Sequence, residues 1–510
     1  MARISMERCP MVAHTDFAKT LKHPDRFFID GEWVTPSSSA QIDVISPSSE
    51  ELFYRVAQAE PADIDRAITA ARTAFDEGPW PRLSPAERAE YLRKIAQELR
   101  KRANELGGLW SGEMGSLYAA NQRLIPIFAD VYDFHASMAD TFPFIEPRQP
   151  AQGGAGYLVR EPVGVVTAIV PWNGPLMLAS WKTAPALLAG CTVILKASPE
   201  APGTLYALAE AAEAAGLPKG VLNVVAAHRE ASELLVSDPR IDKVSFTGST
   251  EAGRRIGAIC ADRIARCTLE LGGKSPAIVL DDYDLDAFAQ TIAASTTIMT
   301  GQVCAALTRV IVSRSRHDAL AEAIKAQLDA VKVGDPYDPA TQMGPLAMAR
   351  QRDKVEQYIG IGQAEGARLI TGGRRPAHLD RGYYIEPTLF ANVDNSSTIA
   401  REEIFGPVLS LIPADNEADA IRIANDSDFG LNASVFTNDP DRAFAVAREI
   451  RSGTVAHNVF RNDFTIAFGG FKKSGIGREG GTEGLRHYLE TKTVLLQSPA
   501  NIAITGTAGN

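Results

Sequence analysis

Residues 162–200 read PVGVVTAIVPWNGPLMLASWKTAPALLAGCTVILKASPE, and their rhythm decides the fold. Val163 to Val170 is a near-continuous apolar run, the pattern of a strand covered on both faces. A helix-like stretch over about 175–189 follows, then a second strand from Cys191 to Lys196. The alternation continues outward with a helix ending at Gly216, a strand from Val221 to Val225, a short helix, a strand from Lys243 to Phe246 and a helix from Thr250. Strand and helix in turn, with short connections, predict a parallel, doubly wound α/β sheet. Such a sheet binds its ligand beyond the carboxyl ends of its strands. The GxGxxG turn is absent after the first strand, where Pro171-Trp172-Asn173-Gly174-Pro175 stands instead. Phe246-Thr247-Gly248-Ser249-Thr250 opens a helix, and such a start offers N–H groups and a dipole to a phosphate. The same residue types also suit plain N-capping.

The 510 residues are 45% hydrophobic and 22% charged, with a net charge of −10. One core does not usually extend over so long a chain, so two or three domains are expected. The acidic balance argues against a nucleic acid or an anionic membrane as the main partner. Residues 1–14, MARISMERCPMVAH, hold no apolar segment of the secretory kind. The uncharged run from Pro162 to Trp181 is broken by Pro171, Asn173, Gly174 and Pro175, and does not read as a membrane span. A cytoplasmic protein is expected. Residues 27–58 read as short strands, with Asp30-Gly31 a hairpin turn. Ser84-Pro85-Ala86-Glu87 is a capping box, and Tyr91, Leu92, Ile95 and Leu99 behind it form one apolar helical stripe. The last residues, Ala500 to Asn510, carry no pattern.

Chemistry concentrates between Arg266 and Arg316. The five cysteines (Cys9, Cys191, Cys260, Cys267 and Cys304) include no CxxC pair, and in a chain this long they read as reduced thiols. Free cysteines are most often small buried hydrophobes, which suits Cys191 and Cys267 in their apolar runs. Cys304 differs, because Gly301, Ala305 and Ala306 leave room and open backbone N–H groups near its sulfur. It reads equally as a nucleophile or as a buried thiol. Glu270 ends a strand-like run and is followed by Leu271-Gly272-Gly273-Lys274-Ser275. It is either a solvated loop carboxylate or an acid held over the cleft. Gly-Gly-Lys-Ser is not a P-loop, since Thr268 stands where the first glycine is required. No HExxH occurs and the eight histidines form no ligand cluster, so no metal is expected.

Taken in order, Pro171-Trp172-Asn173, Lys196, Phe246-Thr247-Gly248-Ser249-Thr250, Glu270-Leu271-Gly272-Gly273-Lys274, Gly301-Gln302-Val303-Cys304 and Glu402-Glu403-Ile404-Phe405-Gly406-Pro407 resemble the aldehyde dehydrogenase superfamily. The resemblance runs from about residue 27 to about 497. It implies two doubly wound α/β domains plus a small β oligomerisation extension. The dinucleotide-binding domain would comprise 1–142 and 161–270, the catalytic domain 271–471, and the extension 143–160 and 488–500. It further implies oxidation of an aldehyde to the carboxylic acid with NAD, NADP being possible. Cys304 matches the nucleophile that forms a thiohemiacetal and then an acyl-thioester, and Asn173 matches an oxyanion donor. Glu270 matches the base that activates water, while Lys182 and Glu479 match positions that relay or place protons. Lys182 and Glu479 also fit an ordinary ion pair. For the cofactor, Lys196 matches the contact to the adenosine ribose and Gly248 and Ser249 the pyrophosphate site. Trp172 lines that cleft, Glu403 matches the acid on the nicotinamide ribose, and Phe405 lies against the ring.

Two departures bear on specificity. Lys196-Ala197-Ser198-Pro199-Glu200 has proline where many NAD-specific relatives have glutamate, which removes one barrier to NADP. Gly174 stands where relatives commonly carry an aromatic, so the substrate tunnel widens unless Met177 or Phe468 fills the gap. The loop from Asn458 to Phe464 is expected at the tunnel mouth, and its aromatics suit a bulky apolar or aromatic aldehyde. Arg461 could instead bind a semialdehyde carboxylate, or simply face solvent. A CoA-acylating dehydrogenase, an esterase side activity and a non-catalytic scaffold are the competing readings. The strand-like Ala151 to Arg160 and Thr491 to Gln497 resemble the extension that pairs subunits, and an exposed strand such as Thr493 to Leu496 needs a partner. A homodimer or homotetramer is expected.

Overall fold

A computed structural model describes residues 14–502. Cys9, most of the N-terminal stretch read for a secretory segment, and residues 503–510 of the tail lie outside the described residues.

The strands read from Val163 onward form one sheet. Val165–Ile169, Thr192–Ala197, Leu222–Ala226 and Lys243–Thr247 are buried at every position, as expected for strands covered on both faces. With Arg266–Glu270 they run parallel, and their order in space is third, second, first, fourth, fifth. The hairpin Phe27–Ile29 and Glu32–Val34 extends one edge and Gly475–Ile476 closes the other, both antiparallel. Asp30 and Gly31 turn that hairpin with φ of 56° and 73°, as a two-residue turn between right-twisted strands requires.

Helices cover both faces. Pro175–Ala189 and Gly203–Ala214 lie on one side, packed with the stripe Leu92, Ile95 and Leu99 of helix Pro85–Lys101. Pro61–Asp76 and Thr250–Asp262 lie on the other. The capping box is formed: Ser84 Oγ accepts from the Glu87 N–H at 3.2 Å and the Glu87 carboxylate accepts from the Ser84 N–H at 2.7 Å.

Four residues, 271–274, connect Arg266–Glu270 to Ser275–Val279, which begins a second sheet. Its order is Arg368–Thr371, Thr388–Ala391, Val408–Ala414, Leu307–Ser313, Ser275–Val279, Asn432–Phe436 and Thr454–His457, parallel except for the first. The Leu271–Lys274 crossing therefore carries the Glu270 strand end to the root of the second sheet.

Ile145–Arg148, Ala155–Pro162 and Leu489–Leu496 form a separate antiparallel sheet. Thr493 to Leu496, expected to seek a partner, pairs within its own chain with Leu158 to Ala155. The other edge of that strand carries no strand among the described residues.

Candidate active site

The strand order reverses between Val165–Ile169 and Lys243–Thr247, and at that switch point a doubly wound sheet opens a crevice. A cleft of about 400 Å³ lies there, lined by Trp172, Lys196, Pro199, Glu200, Gly248 and Arg350 among others. A deeper hollow of about 180 Å³ shares Trp172, Thr247 and Gly248 with it and reaches Asn173, Ser249, Gly272, Cys304, Glu403 and Phe405. The predicted cofactor residues thus line one continuous surface with Cys304 and Asn173. A larger hollow, about 1010 Å³, lies along residues 325–341 and 369–387 and contains none of them.

The Cys304 loop is held by backbone geometry. Met299 and Thr300 adopt φ of 49° and 56°, costly for side-chain-bearing residues, and Gly301 follows at 72°. Gly301 admits no side chain, because a Cβ there would lie 2.3 Å from the carbonyl carbon of Gly406. The Gln302 amide pins the turn, donating to the Met299 carbonyl at 2.9 Å and accepting from the Ala347 N–H at 2.9 Å. Asn173 donates through Nδ2 to the Gln302 carbonyl at 3.0 Å, and Trp110 Nε1–H donates to the Asn173 carbonyl at 3.0 Å. Asn173 is thereby anchored to the chain two residues before Cys304.

Burial pushes the Cys304 thiol up to about 12, and the charges of Glu403 and Glu270 add to the effect. The N–H groups of Ala305 and of Cys304 itself work the other way. The resting sulfur is a thiol whose proton must leave before it attacks.

Glu270 ends its strand but does not line the hollow beside Cys304. It is 3% exposed, more deeply buried than its position in the sequence suggested, and neither carboxylate oxygen has a hydrogen-bond partner. A Cβ at Gly469 would stand 2.6 Å from Glu270 Oε1, so the carboxylate rests against that glycine. Burial first, and the charge of Glu479 second, hold this carboxyl well above the ordinary carboxylate range, against Lys182 and Arg478. Lys182 and Glu479 form a buried ion pair, with side chains 0% and 2% exposed. Lys182 also donates to Thr247 Oγ1 at 2.7 Å. Glu270 thus lies in the field of the Lys182–Glu479 pair, and Glu270 in turn acts on the thiol.

The cofactor-side residues are equally constrained. Ser249 caps helix Thr250–Asp262, its Oγ accepting from the Ala252 N–H at 3.2 Å. Gly248 has no room for a side chain, since a Cβ would meet the Phe246 ring at 2.4 Å. Lys196 is buried, and its ammonium is lowered to about 8 chiefly by that burial, against the nearby Glu200. Glu200 accepts from Ser198 Oγ and Arg350 Nη2. Trp172 and Phe405 meet edge to face with centroids 5.4 Å apart. Phe405 sits at φ 61°, and Gln351 Nε2 donates to its carbonyl at 2.7 Å.

Met177 lies beside Gly174, its methyl 3.3 Å from where a Cβ would be. Phe468 packs instead edge to face on Trp181, at 5.1 Å. Arg461 is exposed and paired with Asp463 at 3.1 Å. Trp110, Arg350, Gln351 and Lys354 were not singled out from the sequence. They come from helices remote in the chain or from ordinary polar positions, and no local pattern marks them. Among the described residues no cluster of metal-ligating side chains occurs, and no helix is long and apolar enough to cross a membrane.

The fold and cleft define a doubly wound α/β enzyme with a single thiol at the crevice. The aldehyde dehydrogenase family pattern matches residues 33–494, and the chain belongs to that family. It is 43% identical to geranial dehydrogenase of Castellaniella defragrans over 478 residues, 94% of this chain and 99% of that protein. It is 41% identical to betaine aldehyde dehydrogenase 1 of Rhizobium meliloti, over 92% of this chain and 96% of the relative. An aldehyde dehydrogenase of Mycobacterium tuberculosis in complex with NAD+ superposes with a TM-score of 0.91 at 45% identity, covering 94% and 99% of the two chains. Aldehyde dehydrogenase C of Pseudomonas syringae, in complex with NAD+ and octanal, gives 0.90 at 38% identity over 94% and 98%.

Proposed function

We propose that this aldehyde dehydrogenase oxidises a bulky apolar aldehyde to its carboxylic acid with NAD, tolerating NADP. The observation that supports the substrate class is a set of half-buried apolar side chains on the core that also carries Cys304. Met177, Val303, Phe460 and Phe464 pack half-buried against the same core as Cys304, while Arg461 is engaged by Asp463. Apolar walls with few polar groups bind apolar substrates. The relatedness to a geranial dehydrogenase and to an octanal-bound enzyme points the same way.

The residues present fit a dinucleotide. Gly248 and the Ser249-capped helix offer N–H groups to a pyrophosphate, Lys196 a buried ammonium to a ribose, and Glu403 a carboxylate to the other ribose. When bound, NAD supplies the acceptor for the hydride leaving the substrate carbon.

The chain does the rest. Cys304 Sγ bonds to the aldehyde carbon, and the oxyanion that develops is held by the Asn173 amide and the Cys304 N–H. One such donor is typically worth ~10²–10³ in turnover. The acyl-thioester left on Cys304 is hydrolysed by water whose proton passes to Glu270. The carbon–sulfur bond breaks and Glu270 returns that proton to the leaving sulfur, which restores the thiol, while the proton the thiol gave up on attack leaves through the Lys182–Glu479 pair. Residues 1–142 and 161–270 serve the dinucleotide, 271–471 carry the thiol, and the small antiparallel sheet of 143–160 and 488–500 joins copies into a dimer or tetramer. Initial rates for geranial-type, benzaldehyde-type, betaine-type and succinic semialdehyde substrates test the class. The highest kcat/KM is expected for an apolar aldehyde, and a clear lead for the betaine or semialdehyde arm overturns it.

A further inference from the structure

Phe17, on the N-terminal turn His14–Thr20, is buried. Its ring lies on helix Ala103–Met114 at Gly108, where a Cβ would stand 2.4 Å from the ring. The ring stacks on Tyr337 at 5.8 Å and 6°, and tilts against Tyr118 at 5.4 Å. The Tyr337 hydroxyl donates to the Gly108 carbonyl at 2.7 Å, and the Tyr118 N–H donates to the Pro336 carbonyl at 2.9 Å. The turn is itself held, since Thr20 Oγ1 donates to the Phe17 carbonyl at 2.6 Å and Arg102 Nη2 to the Thr20 carbonyl at 3.3 Å. Phe17 thus fastens residues 336–337 to helix Ala103–Met114 and to the start of helix Tyr118–Thr141.

Residues 330–348 join helix His317–Asp329 to helix Ala349–Ala364 as a long irregular segment, tied to itself by a bridge between Val333 and Met343. Its far end holds the Cys304 turn. Thr300 Oγ1 donates to the Gly344 carbonyl at 2.9 Å, and the Ala347 N–H donates to Gln302 Oε1 at 2.9 Å. Between the two anchors the packing leaves no room. A Cβ at Gly344 would lie 1.9 Å from the Gly115 carbonyl oxygen, and one at Gly115 would lie 2.6 Å from the Pro345 ring. Met299 and Thr300 sit in the left-handed region, and such strain persists only where the surroundings over-determine it. The Gly344 carbonyl and the Ala347 N–H are part of those surroundings. A segment without a ladder takes its position from its contacts, so freeing its near end slackens its hold on the turn.

Resting on the reading of Cys304 as the nucleophile, we propose that Phe17 is a positioning residue for the Cys304 turn, acting through residues 336–347. Without the ring, Tyr337 loses its stacking partner and the segment is held firmly at one end only. A misplacement of about 1 Å at a reacting group can cost ~10²-fold in rate. Phe17 lines neither hollow of the cleft, so its loss should leave NAD binding alone.

Single-turnover formation of NADH by the full-length protein, in excess over an apolar aldehyde and saturated with NAD, reads the step at the thiol. Phe17→Ala should lower its rate constant about tenfold with the Kd for NAD unchanged. A variant that merely folds less well loses amplitude and keeps its rate constant. Gly108→Ala gives a second route, because its methyl takes the space of the ring while Phe17 stays in the sequence. It should reproduce the loss. The double variant should be no slower than Phe17→Ala alone, since the ring that the methyl displaces is then gone. Unchanged rate constants in both single variants overturn the proposal, and so do losses that multiply in the double variant. Cys304→Ala should form no NADH, and if it does, the reading of Cys304 fails whatever Phe17 does.

Discussion

The carboxylate of Glu403 fills the space that a side chain on Gly272 would need. A Cβ there would lie 2.4 Å from Glu403 Oε2, and the next residue, Gly273, donates its N–H to Glu403 Oε1 at 3.3 Å. Lys354 Nζ donates to the Glu403 carbonyl at 3.0 Å from the opposite side. The glycines that connect the two sheets therefore set the position of an acid 130 residues further along the chain.

Gly272→Ala should displace that acid and weaken NAD binding. The crowding is of the kind that costs ~1–3 kcal/mol in a packed site. Titration of NAD followed by tryptophan fluorescence checks this without reference to turnover. An unchanged Kd would mean that Glu403 does not hold the ribose.

The NADP expectation turns on Glu200. The sequence has Pro199 where an acid is common, but the next residue brings its carboxylate into the cleft. Burial raises that carboxyl, yet the Ser198 hydroxyl and Arg350 together outweigh it and hold it below the usual range. It is ionised at neutral pH and opposes a 2′-phosphate, which favours NAD. Glu200→Gln removes the charge and frees Arg350, so the ratio of kcat/KM for NADP to that for NAD should rise roughly tenfold. Initial rates with both dinucleotides measure it, and a ratio that does not move would place the discrimination elsewhere.

Strand and helix positions were legible because burial on both faces leaves an apolar run between turn signals. Thr192–Ala197 and Lys243–Thr247 fall within a residue of where the pattern put them. Cys304 taken alone reads equally as a nucleophile or a buried thiol, and Asn173 stands out only through the ordered motifs; the structure brings both to one hollow. What escaped was of two kinds. The depth of Glu270 depends on Gly469 and on the Lys182–Glu479 pair, which come from remote parts of the chain. The connection from helix Thr250–Asp262 to strand Arg266–Glu270 turns on a left-handed Ile264 that has no signature in composition. The partner of Thr493 to Leu496 likewise follows from a fold-back that alternation alone does not specify.

Gly174→Phe should divide the substrates by size. The backbone at Gly174 has a negative φ of −136°, so a side chain is tolerated, and Met177 can yield because its methyl is the far end of a flexible chain. A phenyl ring would then occupy the entry beside the half-buried aromatics. Rates with propanal should change little, whereas kcat/KM for a geranial-type aldehyde should fall at least about tenfold, each lost methylene contact being worth up to ~1 kcal/mol. Equal losses for both aldehydes would mean that the residue acts on the chemistry and not on access.

Glu270→Gln should slow the enzyme and stabilise it at once. The mutant can still release one equivalent of hydride, but hydrolysis of the acyl-thioester lacks its base, so a burst of NADH should precede very slow turnover. The stability effect follows from the raised carboxyl. An acid whose folded pKa lies above its unfolded value binds more protons folded than unfolded, so it lowers stability progressively as pH rises above about 4.5 toward the folded value. Glutamine does not titrate and escapes that loss. Urea denaturation should show little difference between the two proteins near pH 4, and a gain for the mutant that grows as the pH is raised toward 8. A mutant that loses stability equally at both pH values would show that the Glu270 carboxylate is paired in solution, and that the pocket beside Gly469 is not where it rests.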